Sequence, residues 1–270
     1  EGNECVGGGV RAEDGTLTDI YADFTLLATG GVGGLFENST NFRHLTGDSL
    51  AIALINGVEV EHLDYVQIHP TTFYSEKQGR RFLISESVRG EGAVLLDKEG
   101  KRFCNELMPR DVVTGDIRAQ MKKEGSKFVR LDMRPVGEKT IREHFPTIYA
   151  HCLEEGYDVL REPIPVVPAQ HYFMGGVKVD LDGRTSMKRL YSAGETACNG
   201  VHGKNRLASN SLLESLIWAE RAAKSMAARR ADVLTKMPVP DHRMYEEYAK
   251  LKKKYAQIIR EEAEREATID

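Results

Sequence analysis

Val201-His202-Gly203-Lys204-Asn205-Arg206-Leu207-Ala208-Ser209-Asn210-Ser211-Leu212-Leu213-Glu214 is a polar loop running into a helix. Ser211 and Glu214 have the S-x-x-E spacing of a capping box, in which the hydroxyl accepts from the amide three residues on and the carboxylate reaches back. Leu212, Leu213, Leu216, Ile217, Ala219, Ala223, Met226 and Ala227 then recur at helical period, which predicts a buried helix with Glu214, Arg221 and Lys224 off the stripe. Free amides and partial positive charge at the helix start, with Arg206 just upstream, suit a negatively charged ligand. Taken alone, the stretch reads first as an ordinary capped core helix beside a solvated arginine.

Working outward, 270 residues make one large domain or two ordinary ones. Hydrophobic content of 41% and charged content of 29% are those of a globular protein. A net charge of -4 provides no basic field, which argues against nucleic acid as a partner. No apolar run approaches the ~20 residues that cross a bilayer, so no membrane partner is expected. The start does not read as a signal peptide. Cys5, Cys104, Cys152 and Cys198 are scattered, without C-x-x-C or metal-ligand spacing, which points to reduced thiols in a cytoplasmic protein and to no metal. The chain opens without Met in what reads as the middle of a sheet, and the expectation is a fragment.

Along the chain, Asp14-Gly15 predicts a hairpin turn. The apolar run from Phe24 predicts a fully buried strand breaking into Gly30-Gly31, where glycine lets a backbone approach a ligand or simply makes a tight turn. Asp48 is a natural N-cap for the apolar helix that follows, and Gly57 a C-cap glycine. Gln67 and His69 lie at i and i+2, hence on one face of a strand. Helix, strand and helix are predicted at 117–123, 128–132 and 139–155, then an extended linker at 163–168. Leu190-Tyr191-Ser192 is a strand leading to Glu195, a carboxylate suited to sugar hydroxyls. Residues 237–240 read as a linker. Residues 242–266 read as a charged helix with Tyr245, Tyr248, Leu251, Tyr255, Ile258 and Ile259 on one stripe.

The wording of five segments resembles the flavoprotein family of succinate dehydrogenase, fumarate reductase and L-aspartate oxidase, from about Ala22 to about Met226. These are A-T-G-G at Gly30-Gly31 with T-G-D at Asp48, Q-x-H-P-T at Gln67 and His69, S-E-x-x-R-G-E-G-A at Ser85 and Glu86, P-R-D-V-V at Arg110, and P-A-x-H-Y-x-x-G-G at His171 followed by H-G-x-N-R-L-x-S-N-S-L-L-E at Arg206. The A-S-N-S-L-L-E ending is nearest the L-aspartate oxidase branch, whereas the respiratory branch more often shows G-A-N-S-L-L-D.

The resemblance implies an α/β flavin-binding domain, incomplete here, at 1–66 and 173–231. It further implies an inserted α+β capping domain at 67–172 and the start of a C-terminal helical bundle at 238–270. It implies FAD contacts at Gly30, Gly31, Asp48, Glu195, Asn210, Ser211 and Leu212. Substrate contacts are implied at Gln67, His69, Ser85, Glu86, His171 and Arg206, with Arg110 as the proton shuttle. Arg89 and Glu91 equally suit a structural ion pair. Thr114-Gly115-Asp116 departs from a stretch that usually carries a second arginine, which puts the outer proton relay in doubt.

The implied activity is FAD-dependent oxidation of L-aspartate to iminosuccinate for NAD biosynthesis, with oxygen or fumarate as acceptor and quinolinate synthase as a partner. The alternatives are a succinate dehydrogenase or fumarate reductase flavoprotein subunit, acting on succinate or fumarate, and a non-catalytic dicarboxylate-binding or docking module. The G-x-G-x-x-G loop that cradles a dinucleotide pyrophosphate is absent from the chain, so by itself it is expected to bind FAD weakly and to be inactive.

Overall fold

The computed structural model describes residues 3–229 and 247–267. In chain order the strands and helices are β1 (Gly7–Arg11), β2 (Leu17–Tyr21), β3 (Thr25–Leu27), α1 (Asp48–Ile55), β4 (Val60–Glu61), β5 (Val66–Phe73), α2 (Glu86–Gly90) and β6 (Val94–Leu96). Then follow α3 (Arg110–Glu124), β7 (Val129–Asp132), α4 (Glu138–His144), α5 (Pro146–Glu154), β8 (Ile164–Phe173), β9 (Gly176–Lys178), β10 (Leu190–Ser192), β11 (Ala197–Cys198), α6 (Asn210–Ala228) and α7 (Tyr248–Ala267). They divide into two units: Glu1–Leu35, Leu45–Gln67 and Tyr172–Asp270 form the first, Phe36–His44 and Ile68–His171 the second.

In the first unit β1 and β2 form an antiparallel hairpin around the expected Asp14-Gly15 turn, closed by the Ala12 amide on the Thr16 carbonyl. Among the described residues β3 pairs in parallel with β10 alone, and β11-β9-β4 form a three-stranded sheet. With a single neighbouring strand, β3 is not the fully buried strand expected: Leu26 is exposed.

Asp48 is not the N-cap of α1. Gly47 holds that place in the left-handed region at φ 71°, and Asp48 is the first helical residue, accepting from Thr46 Oγ1 at 2.6 Å. A side chain at Gly47 would meet Val32 Cγ1 at 2.7 Å and Ile259 Cδ1 at 3.1 Å, so tight packing as well as φ demands glycine. Ile259 belongs to α7, which packs on α1 through Tyr255 and Ile259 as their stripe predicts. The expected linker at 237–240 and Tyr245 lie outside the described residues.

The start of α6 also differs from expectation. Ser209, at φ 63°, takes the cap position and its side chain makes no cap bond, so Ser211 and Glu214 form no capping box. Glu214 is 3% exposed and accepts from Asn199 Nδ2, while Leu212 is 72% and Leu216 65% exposed. The helical period is as read, but the buried face is the i, i+4, i+8 line of Glu214, Trp218 and Ala222. Polar anchors set that rotation: Trp218 Nε1 donates to the Asp180 carbonyl at 3.2 Å, and Asn199 holds Glu214.

The second unit is built on the sheet β5-β8-β7-β6, with β6, β7 and β8 antiparallel. Residues 164–168, expected in a linker, lie inside β8, and Ile164 to Gln170 are all buried. Pro165 fits because its carbonyl, accepting from the Tyr74 amide at 3.0 Å, is the only backbone group it offers. α3 begins seven residues earlier than expected, at Arg110, with Pro109 as N-cap and left-handed Gly125 closing it. The helix expected at 139–155 breaks at Phe145, because Pro146 has no amide proton to continue it. Ile84, Leu95, Ile117, Leu131, Ile141 and Ile164 are wholly buried in one core. Phe36–His44 pairs with β8: the Thr40 amide donates to the Gln170 carbonyl and the Gln170 amide to the Asn38 carbonyl, both at 2.9 Å.

Candidate active site

In the second unit β5 turns His69 inward, where it is 1% exposed. The Thr71 amide lies 3.2 Å from His69 Nδ1, while the Thr71 carbonyl, 3.1 Å from the same nitrogen, already accepts from the Ile84 amide. An amide donates and a carbonyl accepts, so these two contacts suit either tautomer, and in either one the neutral ring keeps one N–H. Burial holds the His69 pKa well below its ordinary 6.5, and the charges of His171, Arg110 and Arg89 add to this. His69 is therefore a neutral donor at pH 7. The His171 ring meets it edge-on at 5.4 Å, and His171 Nδ1 lies 2.9 Å from the Thr40 hydroxyl.

Glu86 and Arg110 are joined through Nε at 3.1 Å and Nη2 at 2.7 Å, both to Oε2. Burial pushes the Glu86 carboxyl up, but the hydrogen bond and charge of Arg110, with Arg89 beyond, outweigh it and lower its pKa. Arg89 does not pair with Glu91. It lies 2% exposed with Nη2 at 3.5 Å from Glu86 and Nη1 donating to the Glu106 carbonyl at 2.6 Å. Glu91 instead lies 3.7 Å from His144 Nδ1. Two residues apart on a helix, Arg89 and Glu91 point to different sides. Ser85 caps α2, its hydroxyl accepting from the Ser87 amide.

Sequence reasoning passed over Thr40 and Glu106. Glu106 takes the Arg102 guanidinium at 2.6 Å and the Leu95 amide at 2.7 Å, an i, i+4 pair that was legible in Arg102–Glu106. Nothing local marks Thr40, whose partner is 131 residues away.

In the first unit Gln67 Nε2 donates to the Arg206 carbonyl at 2.7 Å and to Asn205 Oδ1 at 3.1 Å. Arg206 is 5% exposed, its guanidinium 4.5 Å above the Tyr172 ring and its Nη1 donating to the Leu207 carbonyl at 3.2 Å. Burial pushes the Tyr172 hydroxyl pKa up, helped by Glu195 and Glu214. Gly30 lies in the left-handed region at φ 77°, its carbonyl accepting from Thr196 Oγ1 at 2.8 Å. A Cβ on Gly31 would sit 2.5 Å from Glu195 Oε1, which also accepts the Phe173 amide at 2.9 Å.

These residues fit a flavin. A glycine turn lets backbone approach it, Glu195 supplies a carboxylate beside that turn, and the start of α6 offers amides that no side chain caps, next to the exposed Leu212.

The family described as FAD binding domain matches residues 1–212. Among curated proteins the chain is 56% identical over 223 residues to an L-aspartate oxidase of Clostridium perfringens, covering 82% of this chain and 51% of that protein. It is 50% identical to an L-aspartate oxidase of Clostridium acetobutylicum, covering 84% and 52%. The chain thus spans about half the length of these curated relatives. Among solved structures, Mycobacterium smegmatis Sdh1 in complex with UQ1 matches with a TM-score of 0.76 and 32% identity, covering 92% of this chain and 43% of that one. An E. coli quinol fumarate reductase matches with a TM-score of 0.70 and 32% identity, covering 88% and 44%.

Proposed function

The chain belongs to the FAD binding domain family, and we propose that it supplies flavin-holding and substrate-holding residues to an L-aspartate oxidase, which converts L-aspartate to iminosuccinate. The observation that carries the reading is the Glu86–Arg110 pair, at 2.7 Å, on the unit that also holds the buried His69 and the half-buried His171. A carboxylate held ionised by an arginine can take the substrate's ammonium, and the neutral His69 imidazole can donate to a substrate carboxylate. The 56% identity to an L-aspartate oxidase supports the same choice of substrate.

When bound, FAD supplies the two-electron acceptor. With its ring proton on Nε2, His69 donates to one substrate carboxylate, and His171, steadied by Thr40, serves the same end. Arg206 offers its guanidinium fork to a carboxylate, with Gln67 fixing its backbone. A proton leaving the amine passes to Glu86 and onward through the hydrogen-bonded Arg110. A guanidinium has donors only, so Arg110 acts as a relay, giving up one proton as it takes another, rather than as a free base. Ser85 sets Glu86 at the head of α2. Gly30, Gly31, Asp48, Glu195, Asn210, Ser211 and Leu212 are the proposed flavin contacts. Oxygen or fumarate as acceptor, quinolinate synthase as partner, NAD biosynthesis as the route and the cytoplasm as location belong to the same proposal. Among the described residues no helix is long and apolar enough to cross a membrane.

The test is the visible spectrum of the protein with added FAD, before and after L-aspartate or succinate in the absence of oxygen. Weak flavin uptake by the chain alone is expected from the missing G-x-G-x-x-G loop, and bleaching by L-aspartate of whatever flavin is taken up. Bleaching by succinate alone would move the chain to the succinate dehydrogenase side. A flavin band unchanged by either would leave a binding module without this activity.

A further inference from the structure

The second unit carries a cleft of about 400 Å³ that none of the proposed catalytic or substrate residues lines. Arg43 and Arg81 both face it. Arg43 donates from Nη1 to the Phe36 carbonyl at 2.5 Å and from Nη2 to the Glu37 carbonyl at 2.6 Å. Arg81 donates from Nε to Asn38 Oδ1 at 2.8 Å and from Nη1 to the Ser75 carbonyl. These bonds orient the guanidiniums through neutral oxygens. The Glu37 carboxylate also lines the cleft and acts on Arg81 at longer range, but among the described residues neither arginine has a carboxylate within ion-pair distance, and with Lys77 and Lys127 the lining carries four cations against Glu37 and Glu76. Glu76, on the same wall, is already engaged by the Tyr74 hydroxyl at 3.0 Å and by Lys127 at 3.5 Å.

Two oriented cations sharing one cleft repel each other, and an anion between them removes that cost. Burial lowers the Arg81 pKa; Tyr74 and the Glu37 carboxylate oppose that shift, and the charge of Arg43 adds to it. Guanidinium forks match the planar carboxylate and the phosphate more closely than halide. The Tyr74 ring, 5.4 Å from the Arg81 guanidinium carbon, gives the wall an aromatic face beside the charge. The volume exceeds that of a few waters, at ~30 Å³ each, and falls near the lower end of metabolite pockets.

We infer that this cleft is a second anion site, which takes the carboxylate or phosphate group of a small metabolite between Arg43 and Arg81. It stands apart from the oxidase proposal and does not depend on it.

The test is calorimetric titration with inorganic phosphate and, separately, malonate, at constant ionic strength set with sodium chloride. It is run on the natural chain, Arg43→Gln, Lys127→Gln, Arg110→Gln to separate the proposed substrate site and, as a control, Lys101→Gln. One saturable site is expected for at least one of the two anions. Its affinity should fall roughly tenfold in Arg43→Gln, where a charge-assisted bond is lost, and less in Lys127→Gln. Lys101→Gln should leave it unchanged. Saturation by phosphate alone identifies a phosphorylated ligand, and saturation by malonate alone a carboxylate. Arg81 ties two loops together, so Arg43 and the exposed Lys127 carry the test without threatening the fold. No saturable binding of either anion would overturn the inference. So would affinity that survives Arg43→Gln, or a malonate signal abolished by Arg110→Gln instead.

Discussion

Lowering the pH should destabilise the second unit through His69 by an amount that can be worked out. Its pKa in the fold lies well below 6.5, the ordinary value, because the ring is buried and faces His171, Arg110 and Arg89. The unfolded chain then binds a proton that the folded chain refuses. Stability from this group is fully present above the unfolded pKa and is lost as pH falls below it. For a ring that stays neutral in the fold across the window, going from about pH 7.5 to about pH 5.5 costs about 1.4 kcal/mol, a tenfold change in the folding constant. The assay is urea denaturation at both pH values for the natural chain and His69→Gln, whose amide oxygen can still accept the Thr71 amide. Other titrating groups cancel in the difference between the two proteins. The natural chain should lose about 1.4 kcal/mol more than the variant over the window. Equal losses would show that His69 titrates normally in the fold, and the neutral-donor role proposed for it would fall.

Glu86→Gln should cost about 1 kcal/mol in urea melts at neutral pH, because solvent screens a carboxyl that is 42% exposed. The lowered pKa of Glu86 means that this contribution is present above its ordinary 4.5 and disappears as pH falls through the folded value, so natural chain and variant should converge in acid. Leu131→Ala, at a wholly buried site, should lower stability by about 2–5 kcal/mol, measured the same way. Gly175→Ala drives a Cβ into the His62 and Glu61 carbonyls, which are backbone and cannot swing aside; a loss above about 4 kcal/mol, or failure to fold by circular dichroism, is expected. Leu212→Ser, on an exposed face, should shift the urea-derived stability by no more than about 0.5 kcal/mol, which would confirm that the leucine stripe is not the buried one.

Local chemistry was the legible part. The β1–β2 hairpin, the α7 stripe and the inward pair Gln67 and His69 follow from turn residues and periodicity, which act over a few positions. Rotation of α6 was not legible, because its buried face is chosen by Asn199 and Asp180, polar partners distant in sequence. Nor was the strand at 164–168, since prolines read as a linker unless it is known that the Tyr74 amide asks Pro165 only for its carbonyl. The proposed site residues came from wording and not from pattern, and that wording gave no hint of Thr40 beside His171.

The short stretch Phe36–His44 bears on how this protein can be cut apart. Residues 68–171 look in the sequence like a cassette that could be cloned alone, yet the second unit closes only with nine residues drawn from upstream. A 68–171 excision would strip the Gln170 backbone of both its partners there and remove Ser39 Oγ, which donates to Gln170 Oε1 at 2.6 Å. It would also bare a strand edge, which invites pairing between chains. A usable cassette therefore has to carry 36–44 joined by a linker to one end of 68–171, in the natural order or as a permutation. Any swap of this unit between relatives must move two segments together.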